Sequence, residues 1–315
     1  MSASERDPRT RSADSTIDVE AVLSDERVLL AVTILPTLSL FTLVTLLPIG
    51  WGIVAGFFRI PLHDPQWAWV GLANYRSVIA DPGFRTSLWR SLVFTVGTIT
   101  IQVVGGVVVA VVISRTFRFA GLVRVLVFFP YVVPSAVAGV LAIWMTNAQW
   151  GIVNWLLVDI GVLSEPIPWV GGESFAMVTL VLTNSWQYVA FTAVLVVARL
   201  QTIPDGYYEA ATVAGANAWQ RFRDITFPHI KGVLYLVVFL RGVWTFLKYD
   251  IVWLLTRGGP EDATTVAAVY GYERAFTHNQ LGEAAAVSTL LFLLLVVAAS
   301  AYFVVFSPER EVRIE

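Results

Sequence analysis

Long apolar runs alternate with short polar segments along most of the chain. A helix needs about 20 mostly apolar residues to cross the hydrocarbon core of a bilayer. Six runs qualify, and they cover residues 28–57, 92–114, 122–146, 174–198, 232–256 and 284–306. The pattern therefore predicts an all-α polytopic membrane protein with six transmembrane helices.

Two of these runs contain prolines. The first holds Pro36 and Pro48, and the third holds Pro130 and Pro134. Membrane helices tolerate proline where neighbouring groups satisfy the freed carbonyls, and a proline is a usual cause of a sharp bend. We expect a kink in the third span.

The segments between the runs carry weaker signals. Residues 58–91 contain tryptophans of the kind found at membrane interfaces. Residues 147–173 include "GIVNWLLVDIGV", which is too short to span and predicts an interfacial or re-entrant helix. Residues 257–283 begin "RGGPEDATT", which predicts a turn followed by the start of a helix.

Composition supports a lipid-embedded chain. Of the 315 residues, 57% are hydrophobic and only 14% are charged, whereas a soluble domain has about 25% charged residues. The net charge of -2 does not indicate a nucleic-acid partner, and the absence of cysteine excludes disulfides and thiol catalysis. The three histidines have no metal-ligand spacing and no nucleophile stands beside a base, so we expect neither a metal site nor an enzymatic activity. The predicted environment is the lipid bilayer.

Basic residues in the loops indicate the orientation. With both termini inside, thirteen lysines and arginines fall in cytoplasmic segments and six in outer segments, while Arg241 and Lys248 lie within the fifth run. The sequence thus predicts a multi-pass cell-membrane protein with cytoplasmic termini. Residues 1–27 have no signal-peptide core and predict a disordered cytoplasmic tail, and residues 307–315 form a second tail.

The longest cytoplasmic loop covers residues 199–231. Pro204 and Asp205 signal a helix start, and Glu209 follows in the first turn, where a carboxylate suits the helix dipole. Alanines make this helix slender, Gly215 interrupts it, and Pro228 is expected to end a second helix before the fifth span. A slender helix–bend–helix can enter a groove on another protein. The alternative is a connecting loop that lies on the lipid headgroups.

The spacing within this loop resembles the cytoplasmic EAA loop of ABC-importer permeases. The resemblance rests on Glu209, Ala210, Ala211, Gly215, Ile225 and Pro228 at fixed spacing, and Phe227 stands where the family usually has leucine. Three further stretches resemble the carbohydrate-type branch, which includes maltose-type and glycerol-phosphate-type permeases. They are "VGLANYRSVIADPGF" (70–84), "RTFRFAGLVRVLVFFPYVVPSAVAGVLAIWMTN" (115–147) and "KYDIVWLLTRGGPEDATT" (248–265), in which Arg257 is a mild departure.

The resemblance implies a type I ABC-importer permease fold over residues 28–306. The chain would be one of two homologous permease subunits, with two ATPase subunits inside and a solute-binding protein that delivers a sugar, polyol or related derivative from outside. The six loop residues would contact the ATPase, Glu209 through a basic group and Gly215 through its bend. ATP and magnesium would bind the partner, and this chain would hold no cofactor. Its only lysines, Lys231 and Lys248, follow Ile230 and Leu247, so the Gly-Lys-Ser/Thr of a P-loop is absent.

Charged residues within the fifth run are candidates for the solute pathway. An uncompensated charge at mid-membrane costs about 2.5–3.5 kcal/mol on insertion scales. Arg241 is near the middle of the run, and Lys248 is seven residues later on nearly the same helix face. Asp250 is expected to point elsewhere, at the outer interface. The alternative is that Lys248 snorkels outward while Arg241 bonds to carbonyls of a neighbouring helix.

Polar and aromatic residues supply further candidates. Asn184, Gln187 and Tyr188 share one face of the fourth span, where they would hydrogen-bond sugar hydroxyls or pack against other helices. Trp244 and Tyr249 are similar candidates, and Gln102 is another. A different function, a stand-alone ion-coupled secondary carrier using Arg241 or Asp250, stays open. A membrane enzyme would need catalytic acids or histidines near an interface, and the sequence shows no such group.

Overall fold

The computed structural model describes residues 26–61, 66–114 and 118–306. The predicted C-terminal tail lies outside this part of the chain, as does the predicted N-terminal tail except Glu26 and Arg27, which already belong to a helix. The chain divides into two units, Met1–Trp51 and Gly52–Glu315. Each unit is described by itself.

The first apolar run forms a helix with one π-turn. Its parts are α1 (Glu26–Phe41), the π-turn Thr42–Leu46 and α2 (Leu47–Ala55). Pro48 follows the π-turn as the second residue of α2, where a missing backbone N–H is readily tolerated. Val28–Ala55 is long and apolar enough to cross a membrane, as predicted.

The second run begins earlier than its apolar residues indicate. A short hairpin pairs β1 (Phe58–Arg59) with β2 (Ala68–Trp69), and α3 (Ala73–Ala80) follows. The next helix, α4, is Pro82–Ile113, so the predicted start at residue 92 was wrong by ten residues. The reason is local, because the Asp81 carboxylate caps the helix by accepting from Gly83 N at 2.7 Å and Pro82 suits the first turn.

The third run is broken rather than kinked. It forms α5 (Ala120–Val132) and α6 (Ser135–Met145), whose axes differ by 104°. The residue before a proline is pushed out of the helical conformation, and Val133, which precedes Pro134, is extended with ψ 126°. The predicted single span is therefore two helices, and it counts as one crossing only if the pair is taken together.

The short helix predicted between the third and fourth runs is α7 (Ile152–Asp159). Asn154 fastens it to the following loop. Its Nδ2 donates to Ile167 O at 3.0 Å, and its Oδ1 accepts from Ile167 N at 3.1 Å and from Trp169 Nε1 at 3.0 Å.

The loop predicted to be cytoplasmic, residues 199–231, leads into one long helix. After α8 (Glu173–Leu200) come α9 (Asp205–Val213), α10 (Ala218–Arg221), the π-turn Phe222–Thr226 and α11 (Phe227–Phe246). The last three form a continuous helix over Ala218–Phe246. The prediction that Pro228 ends a helix was wrong, because it stands directly after a π-turn, in the first turn of α11, where its missing N–H and its ring are accommodated.

The fifth run ends sooner than predicted. Helix α11 stops at Phe246, and the short helix α12 (Asp250–Leu255) replaces the expected outer end of the span. The predicted turn and helix start after Arg257 are confirmed by α13 (Ala267–Tyr272), which continues as the π-turn Glu273–Thr277. The last span is α14 (Leu281–Val305).

The core of the second unit is built on the pair α4 and α8, which α11 also contacts. Small residues let these helices approach closely, as is common between membrane helices. A Cβ added at Gly106 would lie 2.4 Å from Thr192 Cβ, so only glycine fits there. The described residues contain five helices able to cross a membrane, and six if the bent pair counts as one span. The all-α membrane fold is confirmed.

Candidate functional site

A buried polar cluster joins the three central helices. Arg241 of α11 is only 4% exposed. Its Nε donates to Gln102 Oε1 of α4 at 2.9 Å, and its guanidinium lies 4.1 Å from the ring centroid of Tyr188 on α8. Gln102 Nε2 also donates to Asn184 O at 3.2 Å. Arg241 is thus held by a side-chain amide and an aromatic ring, and not by the helix carbonyls that the alternative interpretation named.

Lys248 reaches the same tyrosine from another direction. Because α11 ends at Phe246, Lys248 does not share a helix face with Arg241, contrary to the prediction. Its Nζ donates to Tyr188 Oη at 3.1 Å and pairs with Asp250 Oδ1 at 3.2 Å. Asp250 therefore points toward Lys248 rather than elsewhere, and Lys248 does not snorkel away.

Tyr188 is consequently fixed on several sides. Arg241 lies over its ring and Lys248 binds its hydroxyl. Ser135 Oγ on α6 is 3.5 Å from the same hydroxyl, and the edge of Tyr131 packs against the ring with centroids 6.0 Å apart. Cation–π contacts gain strength when they are desolvated, so this arrangement sets the position of one ring rather than leaving a free cation.

Asn184 and Gln187 are buried beside this cluster. Gln187 Nε2 donates to Val133 O at 2.7 Å, which ties α8 to the break between α5 and α6. Gln187 Oε1 and both amide atoms of the Asn184 side chain have no hydrogen-bond partner within the described part of the chain. Buried polar atoms are usually paired, and these three atoms are exceptions within the described residues.

An aromatic surface adjoins the cluster. Trp244 is 51% exposed, and its ring meets Phe191 edge-on with centroids 5.8 Å apart. Phe191 in turn stacks on Tyr131 at 6.4 Å. Tyr131 and Phe191 were not predicted as site residues. Tyr249 has its ring contacts elsewhere, with Trp253 at 5.7 Å and Tyr272 at 5.0 Å.

The segment 199–231, which was predicted to be cytoplasmic, has the opposite character. The predicted helix–bend–helix is present, with Gly215 at φ +80°, a conformation that favours glycine. Val213, next to the bend, is 90% exposed. Asn217 and Gln220 form a capping box that starts the second helix. Of the six predicted contact residues, four are exposed and two, Ala211 and Ile225, are partly buried; the exposed four are Glu209, Ala210, Gly215 and Pro228.

A separate polar group lies at the start of α4. Asp81 Oδ2 accepts from Tyr270 Oη at 2.9 Å and pairs with Arg274, which also pairs with Glu283 at 3.4 Å. Burial opposes ionisation of Asp81, but the bonds from Tyr270 and Gly83 and the charge of Arg274 outweigh it and lower the pKa of Asp81. Burial and the bond to Asp81 raise the pKa of Tyr270 to about 12. This group connects the start of α4 to the start of α14.

Comparisons with known proteins agree with this architecture. The family described as "Binding-protein-dependent transport system inner membrane component" matches residues 102–312. The chain is 38% identical to the inner membrane ABC transporter permease protein YcjO of Escherichia coli, over 82% of this chain and 88% of that protein. It is 32% identical to the trehalose/maltose transport system permease protein MalF of Thermococcus litoralis, over 83% of this chain and 88% of that protein.

A solved structure shares the fold. A chain in the crystal structure of a bacterial ABC transporter involved in the import of the acidic polysaccharide alginate superimposes with a TM-score of 0.76. The match covers 91% of this chain and 96% of that one at 20% sequence identity. At this identity the likeness concerns the fold alone, which is that of a type I ABC-importer permease.

Proposed function

The chain belongs to the family of binding-protein-dependent transport system inner membrane components, and we propose that it is a sugar-translocating permease subunit of an ATP-driven importer. It is a membrane transport component rather than an enzyme, as the family implies. The solute proposal is supported by relatives named for sugars, among them the trehalose/maltose permease and, at 28% identity, a sulfoquinovosyl glycerol permease.

The proposed partners are a second homologous permease, two ATPase subunits and an extracellular solute-binding protein. One structural relative is described in complex with an alginate pentasaccharide-bound periplasmic protein. ATP and magnesium would bind the ATPase subunits, and this chain would hold no cofactor. The excess of basic residues in the segments assigned to the inside supports cytoplasmic termini.

The exposed segment around Glu209 is the observation that carries the proposed coupling. Glu209 lies on the solvent side of α9, and Val213 and Gly215 are exposed at the following bend. A partner groove would bury this slender ridge and pair the carboxylate of Glu209 with a basic group. Closure of the ATPase dimer on ATP would then swing the spans between inward-open and outward-open states.

The proposed solute contacts lie on the aromatic surface and the orphan amides beside it. Tyr131, Phe191 and Trp244 present ring faces and edges that suit the apolar face of a sugar. Asn184 and Gln187 are buried in this state, so they would bond to hydroxyls of a solute, or to the second permease, in a state of the transport cycle that exposes them. Tyr188 remains a candidate for the solute pathway, and Arg241 would act there by holding the ring of Tyr188 in position. Tyr249 fits less well, because its ring packs into a separate aromatic group.

A stand-alone ion-coupled carrier is the rival function. The Lys248–Asp250 pair at 3.2 Å is the group on which such coupling would depend. Collapsing the proton gradient at constant ATP discriminates between the two, because it stops a proton-coupled carrier and spares an ATP-driven importer.

The test of the proposed function is gentle extraction of the tagged chain from its native membrane, with identification of what co-purifies. We expect a second permease of similar size and an ATPase subunit. A stable chain that purifies alone at every salt concentration would contradict the importer and favour the carrier.

A further inference from the structure

Helix α9 is tied to the helix that follows it by side-chain hydrogen bonds. Tyr208 Oη and Thr226 Oγ1 are 3.0 Å apart, and Thr226 is buried. Arg221 Nη1 donates to Thr212 Oγ1 at 2.9 Å, one turn further along α9. The two bonds join α9 to the π-turn Phe222–Thr226 and to α10, which precedes it.

A third contact extends the connection to α8. The ring of Tyr207 packs on His229 with centroids 5.8 Å apart, and His229 Nδ1 is 2.6 Å from Ile225 O. Arg199, at the end of α8, donates from Nε to His229 O at 2.9 Å. His229, in the first turn of α11, is therefore contacted by Tyr207 of α9 and by Arg199 of α8.

The bend between α9 and α10 has backbone hydrogen bonds of its own, because Gly215 N donates to Thr212 O at 3.0 Å and Ala216 N donates to Ala211 O at 2.9 Å. Only Ala214, Gly215, Ala216 and Asn217 separate the two helices. A Cβ built at Gly215 meets nothing within 4 Å, and its φ of +80° belongs to a residue with wide conformational freedom. The bend is therefore a defined turn, and the two side-chain hydrogen bonds add a direct link from α9 to the helix that continues into α11.

One continuous helix connects these hydrogen bonds to the buried cluster around Arg241. Thr226 is the last residue of the π-turn, and Arg241 follows fifteen residues later on the same helix, Ala218–Phe246. This separation corresponds to about 22 Å along the helix axis. A π-turn is a point at which helix geometry changes and is often functional. Movement imposed on α9 thus has a direct route to the ring of Tyr188 through Arg241.

We propose that the Tyr208–Thr226 hydrogen bond transmits movement of α9 to α11, which makes both residues positioning residues for the coupling of ATP hydrolysis to transport. This inference rests on the proposed function, in which α9 docks on the ATPase. The Arg221–Thr212 bond supports the same tie. The bond is distinct from the docking contact itself, because Thr226 is buried and Glu209 is exposed.

The experiment uses the complete transporter reconstituted in liposomes and measures solute uptake per ATP hydrolysed. Tyr208→Phe and Thr226→Val each remove one hydroxyl of the bond with little change in shape. We expect each to lower uptake per ATP about fivefold, the scale of one net hydrogen bond, while the ATPase still co-elutes with the permease. Because both remove the same interaction, the double variant should be no worse than either single variant.

Two matched variants separate positioning from simple destabilisation. Thr226→Ser keeps the hydroxyl and should restore the coupling ratio that Thr226→Val loses. Tyr207→Phe removes the neighbouring hydroxyl, keeps the ring on His229, and should leave the ratio at the wild-type value. A loss of folded protein would lower all activities together and leave uptake per ATP unchanged.

Wild-type uptake per ATP in both Tyr208→Phe and Thr226→Val would overturn the inference, as would a Thr226→Ser variant as defective as Thr226→Val. In either case normal association with the ATPase would leave the proposed function standing. Failure of the wild-type chain itself to bind any ATPase would instead overturn the proposed function, and this inference with it.

Discussion

The buried cluster around Arg241 and the exposed segment 199–231 differ in where their polar groups find partners. Arg241 is satisfied inside the protein, by Gln102 on α4 and by Tyr188 on α8. Glu209 is exposed on α9, whose Tyr208 and Thr212 bond instead to the helix that follows. The first arrangement holds helices together, whereas the second leaves a surface for another protein.

The comparison teaches how to interpret a charged residue in a membrane protein. A charge that is paired internally with an amide and a ring acts on the structure around it. A charge that is exposed on a slender helix is free to act on a partner. Four variants test this division, and they follow here from the largest expected effect to the smallest.

Glu209→Ala should have the largest effect. Truncating one partner of a hydrogen-bonded charge pair in an interface costs about 2–5 kcal/mol, so the affinity for the ATPase should fall about 30-fold or more. Binding of the purified ATPase to the permease checks this result. Asp205→Ala, a second acidic residue on the same helix, is the control and should bind nearly as wild type. Unchanged association and uptake in Glu209→Ala would remove this residue from the mechanism.

Arg241→Met should act inside the membrane and spare the ATPase contact. It removes the bond to Gln102 and the cation over Tyr188, and a desolvated cation–π contact is worth about 2 kcal/mol. Uptake in vesicles should therefore fall at least about tenfold, while ATPase binding stays normal. Arg241→Lys keeps the charge but not the planar group and should be intermediate. Loss of ATPase binding in Arg241→Met would break the distinction between the two regions.

Trp244→Ala tests whether the aromatic surface contacts solute. Aromatic contacts contribute about 0.5–1.5 kcal/mol beyond the area they bury, so uptake at low solute concentration should fall about threefold to tenfold. Trp244→Phe should recover most of it. The matched control is Trp186→Ala, which removes another exposed tryptophan, on α8. Equal losses in the two alanine variants would argue against a solute contact at Trp244.

Asp81→Asn should have the smallest effect. It should leave solute uptake per ATP unchanged and alter only the stability of the protein. It removes the pair with Arg274, and partly exposed pairs contribute about 0–1 kcal/mol to stability. Because the folded-state pKa of Asp81 is lowered, its contribution is present above the unfolded value of about 3.9 and is lost as the pH falls below it. The melting temperatures of wild type and variant should differ at pH 7 and converge in acid. A difference that did not begin to shrink as the pH fell below the unfolded value would exclude this ionisation as the cause.

Elements that depend on local signals were predictable. The turn and helix start after Arg257, the short helix α7 and the bend at Gly215 each follow from residues within a few positions of one another. Helix ends were predicted less well. Asp81 and Pro82 extended α4 beyond its apolar residues, and the π-turn before Pro228 let a helix continue where a proline was expected to end it.

The aromatic surface could not be derived from one run alone. Tyr131, Phe191 and Trp244 stand on three helices, and each resembles any other aromatic residue in a membrane span. The one available signal was the position of Tyr131 between Pro130 and Pro134, where a kink was expected. Tyr249 was a candidate for the same reason as Trp244, but the end of α11 at Phe246 placed it in another group.

By itself the sequence determined that this chain is a helical membrane protein and that a helix–bend–helix lies within residues 199–231, because apolar run length and residue spacing along one helix are local properties. Only the tertiary structure decided how the charges are used. Gln102 and Arg241 are 139 positions apart, and Lys248 reaches Tyr188 only because α11 ends before it. Pairing across helices depends on how their faces meet, and no local pattern specifies that.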